Sequence, residues 1–417
     1  MEREELQQVG FEGLGIVPGL LKRIAALGFK HPTPIQFKAI PIATSGEDVV
    51  GIAQTGSGKT LAFSIPMLQM VSKSDKKGLI LLPTRELAVQ VEETLRKVAG
   101  NSGLRTAIVI GGANIRPQIK QLRANPHIIV ATPGRLIDHI SQKNISLSRI
   151  GMLVLDEADR MLDMGFEPQL KQVLESVPDD RQTMLFSATM PDTITTIANK
   201  YMKKPLRIEV ARPGTTADKI DQEVFIVPKD EKMDLLGRLL KEYHGKVLIF
   251  SRTKHGAGKI TKALNKEGYK ADEIHSNRSQ NQRQKALKGF TAGRHRILVA
   301  TDIASRGIDV DDIELVLNFD LPEQIEDYVH RIGRTARAGK SGKAISFAAP
   351  DQKNDIAQIQ KLINVILPIK APNGKQLESI KASIGGGRSS SRSRQRPGGR
   401  GRSGGGRGGN GRSKRRY

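Results

Sequence analysis

The chain has 417 residues, enough for two or three folding units with ordinary cores, and no cysteine, which excludes a disulfide framework, a thiolate zinc site and an iron–sulfur cluster. Its 67 Lys and Arg against 43 Asp and Glu leave a formal charge of +24, which points to a polyanionic partner. Aromatic residues make up 4% of the chain and Trp is missing, so the phosphate backbone rather than a broad base-stacking platform is the expected handle.

The N-terminal stretch from Met1 to Gly10 is acidic and polar rather than basic then apolar, and no window approaches the roughly 20 apolar residues of a membrane span. A soluble, cytoplasmic protein that does not engage a membrane is expected. Up to about residue 206, short apolar runs alternate with longer helical patterns: Val49 to Ala53, Gly78 to Leu82, Thr106 to Ile110, His127 to Ala131, Met152 to Leu155 and Thr183 to Phe186. These runs lack the polar alternation of a sheet with one wet face, so they read as buried parallel strands of an α/β unit. A polar stretch, Arg212 to Asp221, interrupts them. The pattern restarts with Val224 to Val227, Lys246 to Phe250, Ile297 to Ala300 and Leu315 to Asn318, interleaved with helix-like segments such as Ser279 to Phe290. Two α/β units of similar size are compatible with duplication, which the sequence by itself does not show. Residues 385–417 hold 12 Gly, 10 Arg, one Lys and no acid, a charge of +11 that leaves +13 for the rest. Such a tail cannot bury enough apolar surface to fold.

The segment Ala53-Gln54-Thr55-Gly56-Ser57-Gly58-Lys59-Thr60 follows an expected strand and opens an expected helix, the setting in which backbone N–H groups cradle phosphates. Ala53 takes the first glycine position of the strict phosphate-loop pattern, so the match rests on Gly56, Gly58, Lys59 and Thr60. In this reading Lys59 meets the β and γ phosphates and the Thr60 hydroxyl reaches Mg²⁺. The strand Met152 to Leu155 ends in Asp156-Glu157-Ala158-Asp159. Carboxylates at the C-terminal end of a buried strand sit where α/β sheets bind ligands, which suits Asp156 as a metal ligand and Glu157 for orienting water. An acidic helix N-cap is the plainer alternative for these residues.

With these residues in view, the chain resembles the DEAD-box ATP-dependent RNA helicases of superfamily 2 over nearly all of residues 11–369. The resemblance rests on order: Phe11, Gly28-Phe29 and Pro32 to Gln36 lead into the phosphate loop. Pro83 to Ala88, Gly111-Gly112, Thr132 to Arg135, Asp156 to Asp159 and Ser187-Ala188-Thr189 follow. The second unit continues with Leu248 to Thr253, Gln280 and Arg283, Ala300 to Asp302, Arg306 to Asp309, and His330 to Arg337. Arg252 to Ala257 and His275 to Gln280 look like the bacterial RhlE-type branch. Two positions depart from the family pattern: Ser276 replaces a glycine after the histidine, and Ala336 replaces a glycine between the last arginines.

The resemblance implies two tandem RecA-like parallel-sheet domains, at 1–207 and 222–370, joined by a flexible linker at 208–221 and followed by a disordered Arg/Gly/Ser-rich tail at 371–417. It implies an RNA-stimulated ATPase that binds RNA backbone, locally unwinds short duplexes or remodels ribonucleoprotein, and yields ADP and phosphate. Lys59, Asp156, Glu157, Arg334 and Arg337 would be catalytic. Phe29, Gln36, Ala53 to Thr60 and Asp309 would bind ATP, with Thr60 and Asp156 on Mg²⁺. Arg85, Gly112, Thr132, Gly134 and Arg135 with Arg252 and Thr301, and Gly307 beside them, would bind RNA. Asp159, Ser187, Thr189 and His330 would couple hydrolysis to strand separation. A monomer acting on single-stranded RNA and short duplexes, in a ribosomal or degradosome setting, completes the expectation. A DNA-acting helicase and an RNA-annealing chaperone working through the basic tail stay open as alternatives.

Residue chemistry adds detail. The Gln36 amide offers a donor and an acceptor that match the N6 and N7 edge of adenine and not guanine. Phe29 either stacks on adenine or fills core, and Phe11 is expected to pack. Arg334 and Arg337 lie three apart and would share one face if helical. A methyl group at Ala336 is tolerated at negative φ and strained at positive φ.

Overall fold

The computed structural model describes residues 9–53, 56–210, 220–302, 310, 312–336 and 342–377. The expected linker and tail fall largely, and Gln54, Thr55, Arg306, Gly307, Asp309 and Arg337 wholly, outside the described residues.

The first lobe opens with α1 (Pro18–Ala26) and α2 (Pro34–Thr44), each started by proline at its first position, where a missing N–H costs nothing. The Gln36 side chain reaches back to accept from the Thr33 amide at the start of α2. Strands β1 (Val49–Ile52), β2 (Lys77–Leu81), β3 (Thr106–Val109), β4 (Ile128–Ala131), β5 (Ile150–Leu155), β6 (Gln182–Ser187) and β7 (Leu206–Glu209) form one sheet in the order β3-β4-β2-β5-β6-β1-β7. Every pairing is parallel. Helices α3 (Lys59–Lys73), α4 (Arg85–Ala99), α5 (Ile115–Arg123), α6 (Pro133–Ser141), α7 (Ala158–Asp163), α8 (Glu167–Ser176) and α9 (Asp192–Tyr201) supply the connections. Two apolar clusters cover its two faces. One is built on Ile35, Phe63, Ile80, Val130, Val154 and Phe186, and the other on Leu79, Leu81, Ile129, Leu153, Leu155 and Leu185. Alternate residues of one strand fall in different clusters, so both faces are dry, as the continuous apolar runs require.

The second lobe repeats the plan. Strands β8 (Ile220–Ile226), β9 (Lys246–Phe250), β10 (Ala271–Ile274), β11 (Ile297–Ala300), β12 (Ile313–Asn318), β13 (Gly342–Ala348) and β14 (Ile369–Lys370) are ordered β10-β11-β9-β12-β13-β8-β14, the first sheet's order advanced by seven. The shared order supplies the topological evidence for duplication that the sequence lacks. Around it lie α10 (Lys232–Glu242), α11 (Lys254–Lys266), α12 (Gln280–Thr291), α13 (Asp327–Ile332) and α14 (Lys353–Ile363). Helix α12 starts on a Ser279–Gln282 capping box, close to the expected segment. Strand β7 ends at Glu209 and β8 begins at Ile220, so regular pairing runs about two residues into each end of the segment read as a linker. After β14 the chain turns back, and the Leu377 amide donates to the Ile369 carbonyl at 2.8 Å.

This order sets the site. At the C-terminal edge of the first sheet, the neighbours β5, β6 and β1 lead into the acidic tetrad, Ser187-Ala188-Thr189 and the phosphate loop. The neighbours β3, β4 and β2 lead into Gly111-Gly112, Thr132 to Arg135 and Pro83 to Arg85. One half of the edge gathers the ATP candidates and the other half the RNA candidates. Among the described residues no helix is long and apolar enough to cross a membrane.

Candidate active site

The phosphate loop bends into α3 through Gly58 at φ 92°, a left-handed conformation that glycine adopts without strain. A Cβ there would also stand 2.4 Å from Gln36 Nε2, so the loop and the Gln36 side chain are built against each other. Gln36 is buried, accepts from the Thr33 amide at 2.9 Å and donates to the Gly58 carbonyl at 2.9 Å. One N–H and one oxygen lone pair of its amide remain for a base edge. Phe29 is 41% exposed and therefore not core filling, whereas Phe11 is buried in the first apolar cluster.

Lys59 is buried, and its ammonium donates to the Ala53 carbonyl at 2.8 Å, which keeps it folded over the loop. Asp156 is buried at the end of β5 with its Oδ1 accepting from the Glu157 amide at 2.9 Å. Burial pushes its carboxyl up to about 6; Lys59 opposes the rise, while Glu157 and Asp159 add to it. A buried carboxylate whose burial outweighs the opposing Lys59 charge suits a hard divalent cation that takes its other ligands from phosphate and water. Glu157 itself has φ 52° and ψ 51°, a left-handed conformation that is unusual for glutamate. Strain of that kind persists where surrounding structure enforces it and clusters at functional sites.

Asp159 ties the tetrad to the end of β6. Its amide donates to Ser187 Oγ at 3.2 Å, and its Oδ2 accepts from the Ala188 amide at 3.1 Å. The same oxygen accepts from the Thr189 amide and hydroxyl, each at 2.9 Å. Asp159, Ser187 and Thr189 are thus one hydrogen-bonded unit. No hydrogen bond joins His330 to Asp159 among the described residues. Instead α13 reaches the first lobe one turn earlier, where Asp327 pairs with Arg160, the residue after Asp159. Both side chains are buried, at 3% exposure for Arg160 and 8% for Asp327.

On the other half of the edge, Gly112 has φ 63°, and a Cβ there would collide with the Arg85 guanidinium, so only glycine lets that side chain lie flat against the backbone. Arg135 donates to the Ala113 carbonyl at 3.1 Å, and Thr132 Oγ1 accepts from the Gly111 amide at 3.4 Å. Burial lowers the Arg85 pKa, with Arg283 and Arg135 adding to the effect and Glu86 opposing it. Cationic and hydroxyl groups therefore converge with Gly112 and Gly134, a surface suited to phosphate and sugar rather than base edges. Across from it, Arg283 on α12 pairs with Glu86 on α4 at 3.0 Å, both buried. Thr301 follows β11, and Arg252 follows β9 with its side chain exposed and its amide on Asp320 at 3.1 Å.

Helix α13 is anchored within its own lobe by Arg331. This guanidinium donates to both carboxylate oxygens of Asp302, at 2.5 and 2.7 Å, to Asn318 Oδ1 at 3.1 Å and to the Asp320 carbonyl at 2.7 Å. Arg337 lies outside the described residues, so of the expected Arg334–Arg337 pair only Arg334 can be placed, beyond the end of α13. Helix α13 ends at Ile332, and 3.1 Å bonds from the Arg334 and Thr335 amides to the carbonyls three residues back tighten the chain into a turn. Arg334 is buried with its Nε donating to the His330 carbonyl at 3.2 Å. Ala336 has φ 56°, the strained alternative of the two weighed from the sequence. Sequence reading missed Arg160 and Asp327 as a pair; nothing local marks partners 167 residues apart.

A family model described as DEAD/DEAH box helicase matches residues 33–197, and one described as helicase conserved C-terminal domain matches residues 231–339. The chain is 43% identical over 402 residues to DEAD-box ATP-dependent RNA helicase 30 of Arabidopsis thaliana, covering 94% of this chain and 68% of that protein. It is 44% identical over 354 residues to the DEAD-box ATP-dependent RNA helicase CshA of Geobacillus kaustophilus, covering 84% and 76%. Among solved structures, S. cerevisiae Dbp5 bound to RNA and ADP BeF3 aligns with a TM-score of 0.80 at 32% identity, over 87% of this chain and 96% of that one. A DEAD box protein from the hyperthermophile Methanococcus jannaschii aligns with a TM-score of 0.52 at 40% identity, over 87% and 98%. The chain belongs to the DEAD-box ATP-dependent RNA helicases.

Proposed function

We propose that ATP binds in a cleft between the lobes, that RNA draws the lobes together, and that closure completes the hydrolytic site while bending one strand enough to open a short duplex. The observation that carries this reading is the pair of buried ion pairs across the lobes, Arg160–Asp327 on the ATP half of the edge and Glu86–Arg283 on the RNA half. The TM-score of 0.80 against RNA-bound Dbp5 supports the same reading.

In the closed state the loop amides and Lys59 hold the phosphates, releasing the ammonium from the Ala53 carbonyl. Asp156 and the Thr60 hydroxyl would hold Mg²⁺, which supplies charge neutralisation on the β and γ phosphates. Glu157 orients the attacking water, and Arg334 with Arg337 stabilises charge on the transferring phosphoryl. Arginine fingers contribute on the order of 10³ to 10⁵ in rate, so separated lobes are nearly idle. Gln36 selects adenine, with Phe29 stacked on the ring and Asp309 on the ribose. The unit Asp159, Ser187 and Thr189 relays nucleotide state toward α13, where His330 lies. RNA is held by sugar and phosphate through Arg85, Gly112, Thr132, Gly134, Arg135, Arg252 and Thr301, so binding is independent of sequence and weakens steeply with salt. The basic tail tethers RNA, and the protein works as a cytoplasmic monomer on ribosomal or degradosome ribonucleoprotein.

Steady-state ATP turnover with matched RNA and DNA strands, paired with unwinding of a short duplex, tests the reading. RNA should stimulate strongly and DNA weakly; equal stimulation would favour a DNA-acting helicase. Deleting residues 385–417 should weaken RNA affinity and leave unwinding in place, whereas loss of all activity would favour an annealing chaperone.

A further inference from the structure

We propose that the Arg160–Asp327 ion pair is an electrostatic latch for the closed state, which makes both residues positioning residues for hydrolysis although neither belongs to the reacting groups. The inference rests on the closure reading above and names the contact that enforces it on the ATP half.

Arg160 sits on α7, immediately after Asp159 and three residues from the water-orienting Glu157. Asp327 opens α13, one turn before His330 and seven residues before Arg334. Each end is rigidly held. Asp159 is bonded to Ser187, Ala188 and Thr189, while Arg331 locks α13 onto Asp302, Asn318 and Asp320. The pair therefore joins two stiff supports, so forming it sets the position of the finger-bearing turn relative to the carboxylates. Asp163 lies 3.7 Å from the same guanidinium nitrogen, and Arg160 Nη2 is buried without a hydrogen bond.

With the lobes apart, both groups would be hydrated; docking strips that water from both. A buried pair adds little net stability over hydrated ions, but a missing partner leaves an uncompensated buried charge. The contact thus acts as a gate: it tolerates one register of the lobes and penalises others. Glu86–Arg283 sits on the RNA half, so the two halves of the edge have separate locks.

The test uses the full chain. Arg160→Asp and Asp327→Arg are made singly and together, with Arg160→Gln and Asp327→Asn as milder variants. RNA-stimulated ATP turnover is measured beside lobe distance, read from dyes on cysteines introduced at exposed Ser141 and Lys266 of this cysteine-free chain. Binding of a fluorescent ADP analogue without RNA reports that the first lobe remains folded. Each single reversal should lower RNA-stimulated kcat about 100-fold and abolish closure, with ADP binding unchanged, and the charge swap should recover at least about tenfold of that loss. The neutral variants should fall between. Singles that keep turnover within about twofold of the unmodified chain, or a swap no better than the weaker single, overturn the latch. If the unmodified chain itself does not close on RNA and ATP, the closure reading fails instead.

Discussion

The Oδ2 of Asp159 receives both the amide and the hydroxyl of Thr189, each at 2.9 Å, so one residue of the acidic tetrad is fastened twice to the end of the neighbouring strand. Thr189→Val keeps the shape and the amide bond and removes only the hydroxyl. A hydrogen bond to a charged group contributes about 1.5 to 3 kcal/mol, enough to loosen the unit without unfolding the lobe. Duplex unwinding should fall at least about tenfold while RNA-stimulated ATP turnover changes about threefold or less. Parallel loss of both activities would remove the relay role.

Asp156 titrates late because it is buried, with Glu157 and Asp159 reinforcing the shift and Lys59 resisting it. In the nucleotide-free protein the folded state keeps this proton to about 6, against an ordinary value of 3.8. Its contribution to stability is therefore present below about pH 4 and is lost as pH rises toward 6. Cation binding has the opposite sign, because it needs the carboxylate. Mg²⁺-dependent nucleotide binding should weaken several-fold between pH 7.5 and 5.5, and Asp156→Asn should bind weakly at every pH. Titration calorimetry across that range checks both statements, and a flat profile down to pH 5 would contradict the assignment.

Gln36 links the adenine-reading element to the phosphate loop through the Gly58 carbonyl. Gln36→Glu keeps the acceptor that Thr33 uses and turns the donor into a carboxylate oxygen facing a carbonyl. ATP affinity should drop about 10- to 100-fold, and the preference for ATP over GTP should largely disappear. Competition against a fluorescent nucleotide measures both.

The strands with continuous apolar runs were legible because a sheet covered on both faces demands them. Four strands were not. In β7 only Ile208 is buried, since the strand lies at the sheet edge, and β14 has two residues. In β10 the Ala-Asp-Glu-Ile sequence carries two acids, which find His295 and Arg278 as partners. In β13 a buried Ser346 interrupts the apolar pattern and is matched by Asn318 at 2.9 Å. The phosphate loop, the acidic tetrad and Ser187-Ala188-Thr189 could be placed on the sheet edge from sequence because each directly follows its strand. The lobe-spanning pairs were hidden because long-range charge pairing leaves no periodic trace.

Ala336 occupies the left-handed region, which costs a non-glycine residue about 1 to 2 kcal/mol. Glycine there relieves the strain but enlarges the unfolded ensemble, so Ala336→Gly should change stability by less than about 1 kcal/mol. Ala336→Val, β-branched, should destabilise by about 2 kcal/mol and lower RNA-stimulated kcat, because the turn that holds Arg334 must shift. Thermal unfolding and turnover on the two variants check this; equal behaviour would show that the turn does not constrain the finger.

In the proposed cycle the second lobe completes a nucleotide site on the first when RNA is bound. Glu157→Gln should bind ATP and close on RNA while scarcely hydrolysing, which makes it suited to trapping the complex. The most direct measurement is a crystal structure of that variant with ATP and a single-stranded RNA. The Arg334 guanidinium should lie within hydrogen-bond distance of the terminal phosphoryl; a guanidinium turned away, with the lobes docked on RNA, would overturn this arrangement.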